Sequence, residues 1–273
     1  MTLKIIASDM DGTFLREHRY YDIDRFSEQL NFMQQKGIHF VAASGNKMIH
    51  LKEIFQPVIN KGYEISYVAS NGSASYQGEK LIHAAFLTKE QIKKVIEWNA
   101  NHPENDENLV ILTGLVNTYV SNHASQEMIE LIKNWYHDVT QVEKFKNISD
   151  DILEVTFLWE HDNVEQQVKM LREQFGQEVH STGSGFGNVD VLAPNTNKAT
   201  GMSFLQERWN VLDDEVVTFG DNENDLEMLL KFPRSFVMKN ADESMHKLIP
   251  NSTKKTNIQD GVLDTIDELL SDL

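Results

Sequence analysis

No cysteine occurs in the 273 residues. Disulfides and thiolate metal centres are therefore excluded, and the composition suits a reducing cytosol. Basic residues are few beside acidic ones: 25 Lys and Arg against 42 Asp and Glu give a formal charge of −17. Nucleic acid and anionic membrane, which both call for a basic footprint, are disfavoured as partners. A small phosphorylated molecule is not, because one bound cation and one lysine can reverse the field locally. No apolar run approaches the roughly 18 residues of a membrane span, and there is no internal repeat or low-complexity tract. Met1-Thr2-Leu3-Lys4 leads straight into an apolar run without room for a signal sequence, so a cytoplasmic location is expected. The ten histidines never take the H-E-x-x-H spacing of a zinc site.

What remains is ordinary in bulk, with 40% apolar and 25% charged residues, and long enough for one large or two modest domains. Short apolar runs at residues 4–8, 39–43, 67–69, 216–219 and 235–238 read as buried strands that end at polar clusters. Helical patterns separate several of them, as over 23–35, where Phe26, Leu30 and Met33 recur at i, i+4 and i+7. This alternation predicts an α/β fold with a doubly wound, Rossmann-like parallel sheet, whose ligands bind beyond the carboxyl ends of the strands. From 85 to 190 the pattern changes. A capping box, Thr88-Lys89-Glu90-Gln91, opens a helix with Ile92, Val95 and Ile96 on one face. A hairpin-like pair at 109–113 and 117–121, a helix over 126–136, a strand at 152–159 and a helix over 164–175 follow. Short strands at 179–181 and 189–192 then flank Gly183, Gly185 and Gly187. The expectation is an α+β domain with its own antiparallel sheet, 85–190, inserted into a discontinuous core of 1–84 and 191–273. Residues 102–108 read as a solvated loop.

Four segments of the core carry complementary chemistry. Asp9-Met10-Asp11-Gly12-Thr13 follows the first strand. Asp9 is placed to attack phosphorus as a carboxylate nucleophile, and Asp11 to protonate the leaving oxygen and then take a proton from water. Gly12 and Thr13 offer backbone N–H groups in a tight turn. Ser44-Gly45-Asn46 ends the second strand and opens a helix, a neutral phosphate site; taken alone it reads as an N-cap with a turn glycine. Lys198 supplies a cation against the phosphoryl group and Asp9. In Gly220-Asp221-Asn222-Glu223-Asn224-Asp225 the acidic cluster lacks EF-hand spacing and follows a buried β-run. Asp9, the Asp11 carbonyl and Asp221 suffice for Mg2+, with Asp225 in support, and Asn224 joins the phosphate-binding set.

These residues resemble the haloacid dehalogenase-type phosphatases over essentially the whole chain, with that superfamily's four motifs in order at Asp9–Thr13, Ser44, Lys198 and Gly220–Asp225. The long insert is similar to the Cof-type subclass. The segments around Asp9, Ser44 and Thr182-Gly183-Ser184-Gly185-Phe186-Gly187 resemble its bacterial sugar phosphatases. The resemblance implies magnesium-dependent hydrolysis of phosphorylated sugars, with the insert acting as a cap over the sugar. Asn46 stands where much of the subclass carries Arg, and is expected to tune sugar selectivity while leaving the chemistry alone. In Ser70-Asn71-Gly72 an acidic residue often precedes Asn-Gly, so Ser70 has no assigned role.

Two rivals share these residues: a phosphosugar mutase, which returns the phosphoryl group to a sugar, and a non-catalytic phosphosugar-binding regulator. The intact Asp9, Asp11, Lys198 and Asp221 favour an enzyme. Trp98, Trp135 and Trp159 are expected to pack, whereas Asn188 and Asp190 lie beside the glycine-rich turn as candidate sugar contacts. A monomer or weak homodimer is expected.

Overall fold

The computed structural model describes residues 2–101, 108–133, 135–136, 138–158, 164–185 and 187–273. Strands in chain order are β1 (Ile5–Ser8), β2 (His39–Ala43), β3 (Ser66–Ala69), β4 (Ala74–Gln77) and β5 (Lys80–Ala84). Then come β6 (Leu109–Gly114), β7 (Thr118–Ser121), β8 (Val139–Val142), β9 (Ile152–Leu158), β10 (His180–Gly185) and β11 (Asn188–Leu192), and last β12 (Val216–Gly220) and β13 (Arg234–Val237). The helices are α1 (Ile23–Gln35), α2 (Met48–Ile59), α3 (Lys89–Asn101), α4 (Gln126–Ile132), α5 (Val164–Phe175), α6 (Lys198–Trp209), α7 (Leu226–Lys231), α8 (Glu243–Leu248) and α9 (Gly261–Ser271). Two compact units result, residues 1–83 with 197–273, and residues 84–196.

The first unit holds a sheet ordered β13-β12-β1-β2-β3-β4-β5. Its first five strands run parallel, and β4 returns antiparallel to β3. The parallel strands are buried on both faces, so they read as continuous apolar runs rather than alternating ones. Ile6, Phe40, Ala42, Tyr67, Val217 and Phe219 pack on one side with Phe26, Leu30 and Met33 of α1, Phe55 of α2 and Ile266 of α9. Ile5, Ala7, Val41, Ala43 and Val68 pack on the other with Met202 and Leu205 of α6 and Met228 of α7. The helix expected over 23–35 is α1, begun by Asp22, whose carboxylate accepts from the Arg25 N–H at 3.1 Å. β4 and β5 were not anticipated. They lie at the sheet's edge and are short and partly polar, so neither gives an apolar run.

The second unit holds a sheet ordered β10-β11-β9-β6-β7-β8. Helices α3 and α5 cover one face through Val95, Val168 and Leu171, packed on Leu112, Val155, Phe157 and Val189. Thr88 and Gln91 form the expected capping box at α3. Four details depart from the sequence reading. β8 pairs parallel to β7, so the sheet is mixed rather than antiparallel. The helix expected over 126–136 stops at Ile132, whose carbonyl accepts from both Trp135 and Tyr136 N–H groups in a tight turn. β10 runs on through Gly183, with a bulge, to Gly185. The unit also continues past residue 190, since β11 extends to Leu192 in this sheet. Trp98 packs on Phe157 and Phe175, and Asp190 accepts from the Thr156 hydroxyl at 2.7 Å. Trp159, Phe186 and the loop at 102–107 lie outside the described residues. Among the described residues no helix is long and apolar enough to cross a membrane.

Candidate active site

β1 and β12 lie side by side, and both end in acidic loops. The Asp9 N–H continues the ladder to the Phe219 carbonyl at 3.0 Å, after which the chain folds back on itself. Thr13 and Leu15 N–H groups donate to the Met10 carbonyl at 3.3 and 2.9 Å, and Phe14 N–H to Asp9 at 3.2 Å. Gly12 sits at φ +81°, and a Cβ there would stand 2.5 Å from Asp221 Oδ2. Glycine is required on both counts, backbone conformation and room. Thr13 uses its hydroxyl to donate to Asp221 Oδ1 at 2.5 Å. Asp9 and Asp221 are thereby held on neighbouring loops.

Lys198 is the first residue of α6, whose start is fixed by reciprocal bonds between Asn197 and Thr200. Its ammonium is fully buried and donates at 2.6 Å to Asp9 Oδ1 and at 2.6 Å to Asp225 Oδ1. The other Asp225 oxygen accepts from Asp221 and Asn222 N–H groups at 3.0 and 3.2 Å. Asp225 thus spends both oxygens on holding Lys198 and the 221–222 backbone.

Carboxylate oxygens of Asp9, Asp221 and Asp225 lie within 4.8 Å of one another. One lysine against three carboxylates leaves an excess of negative charge when all are ionised, with Asp9 and Asp225 buried and Asp221 half-buried. Burial, then Asp225, pushes the Asp9 carboxyl well above its ordinary range against the pull of Lys198. Burial and Asp225 likewise raise Asp221 to about 7. Burial works against the Lys198 ammonium, but Asp225 and Asp9 outweigh it and hold the amine above its usual value. A hard divalent cation, taking oxygen ligands and supplying the missing charge, fits this donor set.

The Ser44 loop meets Asp11 through Asn46. The Asn46 amide donates from Nδ2 to Asp11 Oδ2 at 2.9 Å and to Ser44 Oγ at 3.1 Å, and its backbone N–H also reaches Ser44 Oγ at 3.1 Å. Asn46, expected to tune selectivity, is therefore also bonded to the side chain of Asp11, the expected proton donor. Gly45 lies against Asn71, where a Cβ would stand 3.2 Å from Oδ1. Asn224 Nδ2 donates to that same Asn71 oxygen at 3.0 Å. Sequence reasoning passed over Asn71: Asn-Gly marks a turn, and nothing local shows that its side chain reaches residue 224.

With this geometry in view, comparison with known proteins is specific. A model of the haloacid dehalogenase-like hydrolase family matches residues 6–266. The 5-amino-6-(5-phospho-D-ribitylamino)uracil phosphatase YbjI of Escherichia coli (strain K12) is 34% identical over 270 residues, 99% of this chain and 97% of that protein. The 5-amino-6-(5-phospho-D-ribitylamino)uracil phosphatase YcsE of Bacillus subtilis (strain 168) is 25% identical over 267 residues, 97% and 94% of the two chains. The crystal structure of SMU.1108c from Streptococcus mutans UA159 is similar at a TM-score of 0.90 and 28% identity, covering 99% of this chain and 100% of that one. The match takes in the loops of Asp9, Ser44, Lys198 and Asp221 alike, and the chain belongs to the haloacid dehalogenase-like hydrolase family.

Proposed function

We propose that this phosphoric monoester hydrolase uses Mg2+ and cleaves phosphorylated sugars or sugar alcohols through an aspartyl-phosphate on Asp9. The observation that carries the reading is Asp9 itself: a buried carboxylate gripped by Lys198, in a pocket of charge that Asp221 and Asp225 leave uncompensated. Asp9 and Asp221, with the Asp11 carbonyl, would hold the cation, which when bound offsets that charge and the charge of the phosphate.

In the first step Asp9 forms a bond to phosphorus, the ester P–O bond breaks, and Asp11 gives its proton to the departing oxygen. In the second, water bonds to phosphorus, the Asp9–phosphorus link breaks, and the water proton passes to Asp11. Lys198 keeps Asp9 oriented, while Ser44 and the Gly12 and Thr13 backbone receive phosphate oxygens. The substrate class is supported by the relative at 34% identity, named for a substrate whose phosphate sits on a ribityl chain.

The test is phosphate release from a panel of sugar phosphates, sugar-alcohol phosphates and 5-amino-6-(5-phospho-D-ribitylamino)uracil, with Mg2+ and with chelator. Hydrolysis of at least one such ester that needs Mg2+ and disappears in Asp9→Asn is expected. Phosphate transfer between sugars without net release would instead make the chain a mutase.

A further inference from the structure

Ser44, Asn224 and Lys198 come from three distant stretches of sequence, and a single turn touches all three. The turn is Ser70-Asn71-Gly72, directly after β3, and its residues all have left-handed backbone, φ +47°, +51° and +99°. Such a run is rare outside glycine, and asparagine is among the few side chains that tolerate it. Ser70 N–H donates to the Asn46 carbonyl and Asn71 N–H to the Ser44 carbonyl, both at 3.0 Å. The Asn71 side chain lies against Gly45 and accepts from Asn224 Nδ2. Gly72 presses on the start of α6, where a Cβ would stand 2.0 Å from the Asn197 carbonyl oxygen and 3.0 Å from Lys198 N.

We infer that Asn71 is a positioning residue: its amide locks the Ser44–Asn46 loop to Asn224, and so sets the spacing of the phosphate-binding groups around Asp9. The consequence for turnover rests on the phosphatase reading above, whereas the lock itself is a statement of geometry. A plain turn at the end of β3 needs only the backbone conformation, which glycine provides more readily. The asparagine side chain instead makes a buried bond across 153 positions of sequence. Asn71 is 1% exposed and Asn224 8%, so water does not replace the bond when one partner is removed.

The experiment compares wild type, Asn71→Gly, Asn224→Ala and the double variant. Glycine keeps the left-handed backbone and deletes only the amide. Each single variant is expected to lose at least about tenfold in kcat/KM, and the double no more than about threefold beyond the worse single, since residues acting as a unit are not additive. The Mg2+ concentration for half-maximal activity should stay within about threefold in all of them, because Asp9 and Asp221 keep their contacts. Amide exchange at Ser44 and Asn46 should quicken in Asn71→Gly. Single-variant losses that multiply in the double, or Asn71→Gly within about threefold of wild type, would overturn the inference. If Asn71→Gly fails to fold, Asn224→Ala decides alone: unchanged turnover overturns the lock. Should wild type prove inactive, the phosphatase reading fails on its own, and the exchange result still decides whether Asn71 holds the loop.

Discussion

Asp11 has two carboxyl oxygens, and Asn46 claims one of them. Because the Asn46 amide donates to Oδ2, the proton transfer proposed for Asp11 falls to the other oxygen, Oδ1. On the proposed mechanism, Asn46 would select which oxygen faces the leaving group. Removing the proton donor should cost about 10² to 10⁴-fold on a sugar phosphate and less on an activated aryl phosphate, whose leaving group needs no proton. Asp11→Asn should show that split in kcat/KM. Asn46→Ala should show a weaker version of it, because Asp11 remains but loses its orientation. If Asn46→Ala lowers both substrates by one common factor, its role lies in phosphate binding and not in orienting Asp11. The sequence pointed to selectivity because Asn46 stands where much of the resembling subclass carries Arg; its bond to Asp11, 35 residues away, is a matter of packing that no local pattern carries.

At the scale of elements, the parallel strands were legible because burial on both faces leaves apolar runs with no polar interruption. Strand ends were legible for the opposite reason: polar residues, charged after β1 and β12 and neutral after β2 and β3, crowd where the runs stop. β4, β5 and β8 are edge or near-edge strands with half-exposed side chains, and their patterns carry little signal. The site was readable as a set of loops, while the bonds between loops were not, since Lys198–Asp225 and Asn71–Asn224 are matters of packing. Gly72 shows how closely the elements fit. Gly72→Ala would place a methyl group on the Asn197 carbonyl at a left-handed φ. A loss of at least about 2 kcal/mol in urea unfolding is expected, with kcat falling by more than about tenfold as α6 and Lys198 shift. Gly37 also has positive φ but would meet nothing within 4 Å; Gly37→Ala should lose stability and leave kcat unchanged.

For the molecule as a whole, the buried charge makes stability depend on pH and on metal together. Asp9 and Asp221 titrate higher in the folded protein than in the unfolded chain, Asp221 near about 7. The metal-free native state therefore keeps protons that the unfolded chain has already released, and these groups subtract stability as pH rises from about 4 through about 7. A cation that replaces those protons should stabilise more at high pH than at low pH. The rise in Tm on adding Mg2+ should thus be larger at pH about 8 than at about 5.5, and the stabilisation free energy should reach about 2.7 kcal/mol at 100 times Kd. Asp221→Asn should blunt both the pH slope and the Mg2+ effect. A metal effect of equal size at both pH values would mean that the cation binds elsewhere on this chain of charge −17.

If Asp9 takes the phosphoryl group, a covalent phospho-enzyme forms on its carboxylate. Asp11→Asn should slow the second step more than the first when the leaving group is activated, so that the covalent species accumulates. Incubation of Asp11→Asn with an aryl phosphate and Mg2+, acid quench, borohydride reduction and peptide mapping reads this directly, because reduction turns an aspartyl-phosphate into homoserine. Homoserine at position 9, and at no other carboxylate, is the expected result. Phosphate release with Asp9 unmodified at every time point would rule out Asp9 as the nucleophile.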